Sequence, residues 1–398
     1  MPLSETVAVQ LTGPGIGAIG VVLVAGPRSG EVLQKIGSSA RVAEMPMDAC
    51  LLVKLGSAET GDVIDEALVV RTAGQRFELH GHGGMAVMEG ILQALRAAGA
   101  RVMGLEAAAE LGILDEGMEG ELTVALARAK TQTAARLLLA QPGAWMKWAA
   151  AWEQKLAGGN AGALWRFQAD VQWVLERSRS LQRLLEPARV ALVGAPNVGK
   201  STLANALLGR RVSITSEQAG TTRDWVDAET VFTAGEEPSR AETPVVLVDT
   251  AGVRETADVL ETESIARTHA QAADADLVVV LFDATRPPAD EEVARVERFA
   301  GRVVVGVNKM DAAGRLPERL RALDPLPISA KTGAGLNLLM EAVLAHLDLR
   351  AINAGELFAF NGRLRALARR LTLAESPAEC AALLRTVAPA HAAAAIGG

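Results

Sequence analysis

The stretch GAPNVGKST, residues 194–202, decides the fold of the central part of this chain. It follows the apolar run RVALVGA and precedes a segment of helical pattern, so it joins a strand to a helix. Gly194 and Gly199 let the backbone turn its N–H groups inward, and the helix N-terminus favours an anion. Lys200 offers a cation to the outer phosphates, and Ser201 offers a hydroxyl to Mg²⁺. The stretch therefore predicts a phosphate-binding loop.

Four further motifs follow in order: GTTRD at 220–224, DTAG at 249–252, NKMD at 308–311 and SAK at 329–331. DTAG and NKMD each end an apolar, strand-like run. Thr221 and Thr222 are suited to close on Mg²⁺ and the terminal phosphate. Asp311 can accept hydrogen bonds from N1 and N2 of guanine, and adenine would leave that carboxylate unpaired. This order of motifs predicts a guanine-nucleotide switch.

The composition indicates a folded protein of more than one domain. The chain has 398 residues, of which 49% are hydrophobic and 22% charged, and its formal net charge of −7 argues against a general nucleic-acid coat. The two cysteines have no metal-like spacing and fit a reducing compartment. No signal-like start or membrane-length apolar run is present. We expect a cytoplasmic protein without a membrane segment.

The pattern of apolar residues divides the chain into four segments. Residues 1–118 alternate strand-like and helical runs and predict a small α+β domain; 119–187 read as helical. Residues 188–347 alternate strands and helices, which predicts a mainly parallel α/β sheet, and 348–398 return to helix. The expected fold is thus an α/β P-loop domain inserted in a helical bundle and preceded by the α+β domain.

Two details of the helical segments are also expected. The stretch ELTVALARAKTQTAARLLLAQ predicts one long helix that stops before Pro142. Trp165 and Trp173 continue an apolar stripe, which we assign to the bundle core.

The motifs resemble those of the MnmE (TrmE) family of tRNA-modification GTPases. NVGKST, SEQAGTTRD and DTAGVRETADVLE carry the resemblance in the central segment, and GAIGVVLVAGP and FELHGHGG carry it near the start. The resemblance implies GTP hydrolysis, a dimerising N-terminal folate-binding domain, and a helical domain around the G domain. It also implies an MnmG-like flavoprotein partner and modification of the wobble uridine of tRNA.

The resemblance also implies how water is positioned without a Gln after DTAG, where this chain has Val253. Family members use K⁺ and a Glu beyond the loop, which matches Glu261 here. A monovalent cation beside the bridge between the β- and γ-phosphates offsets the charge that develops as the bond breaks. The alternative for Glu261 is a solvated residue at a helix start. The matching K⁺ ligands are Asn197, Ser216, Gln218 and Thr221.

Together, the motifs and the resemblance give the predicted site. The predicted catalytic residues are Glu261, Lys200 and Thr222, and the predicted Mg²⁺ ligands are Ser201 and Thr222. The predicted GTP-binding residues are Asn197, Val198, Gly199, Lys200, Ser201, Thr202, Ser216, Thr221, Thr222, Asp249, Thr250, Ala251, Gly252, Asn308, Lys309, Asp311, Ser329, Ala330 and Lys331.

The chain departs from the family pattern at two places. Of the family's folate-binding residues only Glu78 remains, because Leu23 stands at the Arg position and Glu121 at the Lys position, so folate binding should be severely weakened. The family ends in Cys-Ile-Gly-Lys, whereas this chain ends AAAAIGG: either Ala395 replaces the Cys or the chain stops before that helix. Two hypotheses follow: a tRNA-modifying GTPase, or a divergent switch that keeps GTP binding and dimerisation but regulates another partner.

Two histidines and two groups of arginines do not indicate a specific function. His80 and His82 share a strand face but lack an evident third metal ligand. Two groups of arginines, on two helical segments, could meet tRNA phosphates, and a solvated helix face explains them equally well. The groups are Arg177, Arg179 and Arg183, and Arg363, Arg365, Arg369 and Arg370.

Overall fold

The structure is a computed structural model that describes residues 4–15, 17–57, 61–114, 117–158, 162–209, 227–235, 240–248 and 274–387. The chain divides into two units. The first comprises Met1–Ala129, Trp145–Asn160 and Glu375–Gly398, and the second comprises Lys130–Ala144 and Ala161–Ala374.

The described secondary structure alternates strands and helices along most of the chain. The strands are β1 Val7–Gln10, β2 Ile19–Ala25, β3 Cys50–Gly56, β4 Val63–Ala73, β5 Arg76–His82, β6 Arg101–Met103, β7 Ala188–Gly194, β8 Ala228–Ala234, β9 Ala241–Val248, β10 Leu277–Asp283, β11 Val303–Asn308 and β12 Leu326–Pro327. The helices are α1 Ser29–Ile36, α2 Met85–Ala97, α3 Leu105–Glu110, α4 Met118–Arg128, α5 Gln132–Ala157, α6 Ala163–Leu181, α7 Lys200–Leu208, α8 Asp290–Arg298, α9 Met310–Ala313, α10 Leu336–His346, α11 Gly362–Leu373 and α12 Pro377–Leu384.

The sheet of the first unit has the order β3-β4-β5-β2-β1-β6. Its neighbours are antiparallel except for the parallel pair β1 and β6. Alternate residues of the strands point to opposite faces, and each face has an apolar cluster. One cluster holds Val22, Val24 and Leu79 together with residues of α1 and α2, and the other holds Val9 and Leu23.

The sheet of the second unit has the order β12-β11-β10-β7-β9-β8. It is parallel apart from the antiparallel pair β8 and β9. From β7 the chain continues to β8 and β9 on one side and then to β10 on the other. The carboxyl end of β7 is therefore the point where the winding of the sheet reverses, and open α/β sheets bind ligands at such points.

The prediction of one long helix that stops before Pro142 is wrong in its middle and at its C-terminal end. The helical stretch is broken between α4 and α5, because the Thr131 hydroxyl accepts the Ala134 N–H at 3.2 Å and starts a new helix. Helix α5 then continues through Pro142. The buried Gln141 side chain supports the chain there, since its amide donates to the carbonyls of Leu137 and Glu356, each at 2.9 Å. It also accepts the Phe358 N–H at 2.8 Å.

Helices α6 and α11 of the second unit run antiparallel. The Gln168 amide donates to the carbonyls of Thr372 and Ala374, at the end of α11, whereas Arg365 near its start donates to Gln182, just beyond α6. The assignment of two tryptophans to the bundle core is wrong: Trp165 is 72% exposed and Trp173 is 52% exposed. Phe167, Val171 and Val174 of the same helix are buried, so the apolar stripe contains exposed residues as well as core residues.

Helix α12 begins with a capped first turn, since Ser376 accepts the Glu379 N–H at 3.2 Å and Pro377 occupies the first turn. Among the described residues, none of the helices combines the length and apolar character needed to cross a bilayer.

Candidate functional site

The phosphate loop joins β7 to α7, as its sequence predicts, at the reversal point of the second sheet. Asn197 and Gly199 have φ values of 60° and 99°, in the left-handed region. A Cβ on Gly199 would lie 2.4 Å from the Asn308 amide nitrogen, and a Cβ on Gly194 would lie 2.7 Å from the Leu281 carbonyl. Only glycine fits either position, so the loop packs tightly against the neighbouring strand ends.

Lys200 and Ser201 lie in the first turn of α7. The Lys200 ammonium donates to the carbonyls of Gly194 at 3.0 Å and Ala195 at 3.1 Å, so it is folded over the loop. Ser201 is partly buried and Thr202 is exposed. The arrangement directs a cation and the N–H groups of a nine-residue helix toward the same place, which is suited to a phosphate group.

Asn308, at the end of β11, connects the phosphate loop to the predicted base-binding loops. Only 2% of it is exposed. Its amide donates to the Val198 carbonyl at 2.9 Å, and its carbonyl oxygen accepts the Ala330 N–H at 2.9 Å. Because both ends of one buried side chain are used, the segments that hold Val198, Asn308 and Ala330 form one rigid arrangement.

Asp311 and Ser329 meet at the predicted base pocket. The Ser329 hydroxyl donates to Asp311 Oδ1 at 2.7 Å and accepts the Thr332 N–H at 3.2 Å. One carboxylate oxygen of Asp311 is thus oriented by the SAK segment, while Oδ2 keeps its acceptor capacity. Lys331 is exposed in the same loop.

Asp283, at the end of β10, is a member of the site that the motifs do not reveal. Its Oδ2 accepts a hydrogen bond from the Lys309 ammonium at 2.6 Å, and its Oδ1 accepts the Thr285 N–H and hydroxyl at 2.9 and 2.6 Å. Burial raises the pKa of this carboxyl, but the bonds from Lys309 and Thr285 lower it by more, so the pKa lies below its ordinary value. The signal in the sequence is an Asp one strand away from NKMD: β10 and β11 are parallel neighbours and pair Asp283 with Asn308.

The remaining predicted site residues lie outside the described residues, and the structure tests none of their roles. They are Ser216, Gln218, Thr221, Thr222, Asp249, Thr250, Ala251, Gly252 and Glu261.

In the first sheet, the position of the family's folate-binding Arg carries no cation. Leu23 is fully buried in an apolar cluster, and it is the direct cross-strand partner of Glu78. Glu78 lies 3.2 Å from the His80 ring. His82 pairs instead with Asp65 at 2.7 Å, and the described part of the chain contains no group of His, Cys, Asp and Glu residues that could hold a metal ion. Leu23 and Glu121 thus place no cation at the two positions expected to meet the acidic groups of a folate, and of the expected residues only Glu78 is present.

Comparison with known proteins gives one family match in the region of each sheet. The family model for the 50S ribosome-binding GTPase matches residues 189–309, and that for the GTP-binding protein TrmE N-terminus matches residues 6–105. The tRNA modification GTPase MnmE of Methylorubrum populi is 35% identical over 376 residues, which cover 85% of this chain and 80% of that protein. The MnmE proteins of Synechococcus sp. and Thermus thermophilus are 31% and 30% identical, over 88% and 93% of this chain and 82% and 88% of theirs. This chain therefore belongs to the MnmE family of tRNA modification GTPases, and it binds and hydrolyses GTP.

Proposed function

We propose that this chain couples GTP hydrolysis to modification of the wobble uridine of tRNA, together with an MnmG-like flavoprotein. The observation that carries the proposal is the buried Asn308 bridge between the phosphate loop and the base loops, in a chain related to MnmE proteins over most of its length. A bridge of this kind links phosphate binding to base recognition, as a nucleotide switch requires.

The described residues of the phosphate loop fit a nucleotide with its cations. Ser201 in the first turn of α7 would hold Mg²⁺ together with Thr222, and Asn197 would hold K⁺ with Ser216, Gln218 and Thr221. The cations would offset the negative charge that develops on the phosphates as the anhydride bond breaks. Lys200 would bind the outer phosphates, and Glu261 would orient the attacking water, which needs no unusual pKa.

The proposal includes pairing of two copies of the chain. We place an N-terminal dimerisation domain at residues 1–118, the helical domain at 119–187 and 348–398, and the GTPase domain at 188–347. Pairing of two GTPase domains across their nucleotide loops would complete the K⁺ site and activate hydrolysis. The rate per molecule would then rise with protein concentration.

The first sheet favours a second candidate function. Buried Leu23 stands where the family has a folate-binding Arg, which should severely weaken folate binding and the one-carbon chemistry that depends on it. The alternative is a GTPase switch that pairs and hydrolyses GTP but acts on a different protein partner.

The test of the proposed mechanism is GTP hydrolysis measured in K⁺ and in Na⁺ over a range of protein concentrations. We expect faster hydrolysis in K⁺ and a specific activity that rises with concentration, and Asn197→Ala should lose the preference for K⁺ without losing GTP binding. Equal rates in the two salts would contradict the K⁺ site. Wobble-uridine analysis in a strain that lacks the chain separates the two candidate functions, because unchanged modification would favour the switch.

A further inference from the structure

A groove between α6 and α11 is lined by arginines from both helices. It encloses about 470 Å³ and lies entirely within the second unit. Arg179 and Arg183 line it from α6 and the turn that follows, and Arg365 and Arg369 line it from α11. Each pair is four residues apart, so its members lie on one helix face about 6 Å apart along the axis.

The positive charges of the arginines that line the groove are not all balanced by nearby carboxylates. Arg183 is paired with Asp276 at 3.0 Å. Arg365 donates through Nη1 to the Gln182 side chain at 2.9 Å and to the Ala359 carbonyl at 3.4 Å, which leaves its Nε and Nη2 donors available. The guanidinium groups of Arg179 and Arg369, both exposed, make no hydrogen bond or ion pair with any other residue in the described ranges.

The acidic groups near the groove are fewer. Glu186 lines it and accepts a hydrogen bond from Gln182 at 2.9 Å. Glu176, on the same helix, accepts a hydrogen bond from Gln172 at 2.8 Å. With Arg183 neutralised by Asp276, three guanidinium groups and one carboxylate line the groove, so its surface is positive in a chain whose net charge is −7.

We propose that this groove binds the phosphodiester backbone of RNA. A guanidinium donates two parallel hydrogen bonds to a phosphate, and successive arginines one helical turn apart can contact successive phosphates of a strand. A chain of negative net charge needs a local basic surface to hold a polyanion. The proposal rests on the tRNA modification proposed above, which supplies an RNA substrate. It assigns the contact to the helices of the second unit, outside the nucleotide site.

The test uses the full chain and a fluorescent, unmodified tRNA transcript, whose binding is followed by anisotropy at several salt concentrations. Arg179→Ala and Arg369→Ala should each weaken binding about three- to tenfold and reduce the slope of log K against log salt by about 0.7–0.9, as expected for one lost phosphate contact. The control is Arg166→Ala, which changes an exposed arginine of α6 that does not line the groove. Circular dichroism and GTP hydrolysis should remain unchanged in all three variants.

The outcomes separate this proposal from the proposed function. If the two groove variants bind the transcript as tightly as the unchanged chain and the Arg166→Ala control, the groove is not an RNA site, and the proposed function stands. If polyglutamate competes for the groove as well as RNA does at equal charge, an acidic protein is the occupant and the proposal is wrong. Unchanged wobble modification in a strain without the chain would count against the proposed function alone.

Discussion

At the scale of single residues, contacts within the protein itself hold the Lys309 side chain in place. Its backbone has φ 65°, and its ammonium is bound to the buried carboxylate of Asp283. The ion pair fixes the lysine stem beside Asn308, where the resemblance places the base pocket. Because this charge-assisted hydrogen bond already orders the Lys309 side chain, GTP binding costs little additional side-chain entropy at this position.

We therefore expect Asp283→Asn to weaken GTP and GDP affinity by about five- to tenfold, through loss of a charge-assisted bond worth about 1 kcal/mol. Both nucleotides should lose equally, measured by titration with fluorescent analogues. Asp290→Asn is the matched control, since Asp290 is exposed and pairs with Arg319 on the surface. Unchanged affinity in Asp283→Asn would mean that Lys309 needs no support. Asp311→Asn should behave differently and relax the preference for guanine itself.

At the scale of elements, the motif residues were predictable because each follows a local rule. A phosphate loop requires glycines at fixed spacing after a strand, and strand ends in a parallel sheet meet at one edge, so GAPNVGKST and NKMD converge. Asp283 was not predictable in this way, because its role depends on the register that sets it beside Asn308. The continuation of helix α5 past Pro142 was missed as well, in a region where buried Gln141 is bonded to Glu356 and Phe358, which are more than 200 residues away in the sequence.

The arginines of α6 also show that a local sequence pattern does not reveal contacts between residues that are distant in the sequence. Sequence alone grouped Arg177 with Arg179 and Arg183 as one basic face, but Arg177 is buried and has a structural role. Its Nε donates to Glu356 and its Nη1 to the side chain of Asp348, both at 3.0 Å, and its Nη2 donates to the Ala351 carbonyl at 2.6 Å. One guanidinium thus anchors the segment after α10 to α6.

Arg177→Ala should destabilise the second unit by about 3–5 kcal/mol, because it removes a buried cation and leaves Glu356 without its partner. Arg177→Lys should recover only part of the lost stability, since a single ammonium lacks the planar fork with which the guanidinium reaches all of these acceptors. Chemical denaturation followed by circular dichroism measures both. If Arg177→Ala is no less stable than Arg166→Ala on the same helix, the anchor contributes nothing.

At the scale of the whole molecule, each unit contains a buried carboxylate with a lowered pKa. Burial raises the pKa of Asp65 in the first unit, but hydrogen bonds from the side chain and backbone of His82 and the backbone of Glu66 lower it by more. In the second unit, two hydrogen bonds from Arg286 lower the pKa of Glu292, and the Ala289 N–H adds to them against the effect of burial. The free energy of unfolding of each unit should therefore depend on pH on the acid side.

The direction of that dependence follows from the shift. Because the folded pKa of Glu292 lies below its unfolded value of about 4.3, its contribution is present above that pH and is lost as the pH falls through the folded pKa. Glu292→Gln should lower the free energy of unfolding by about 1–3 kcal/mol near neutral pH and much less near pH 3, so that the two stability curves converge in acid. Denaturation at a series of pH values measures the convergence. Glu291→Gln, at the exposed neighbouring position, should leave the curve unchanged, and a constant difference between Glu292→Gln and the unchanged chain at all pH values would show that the carboxylate's charge is not what stabilises the fold.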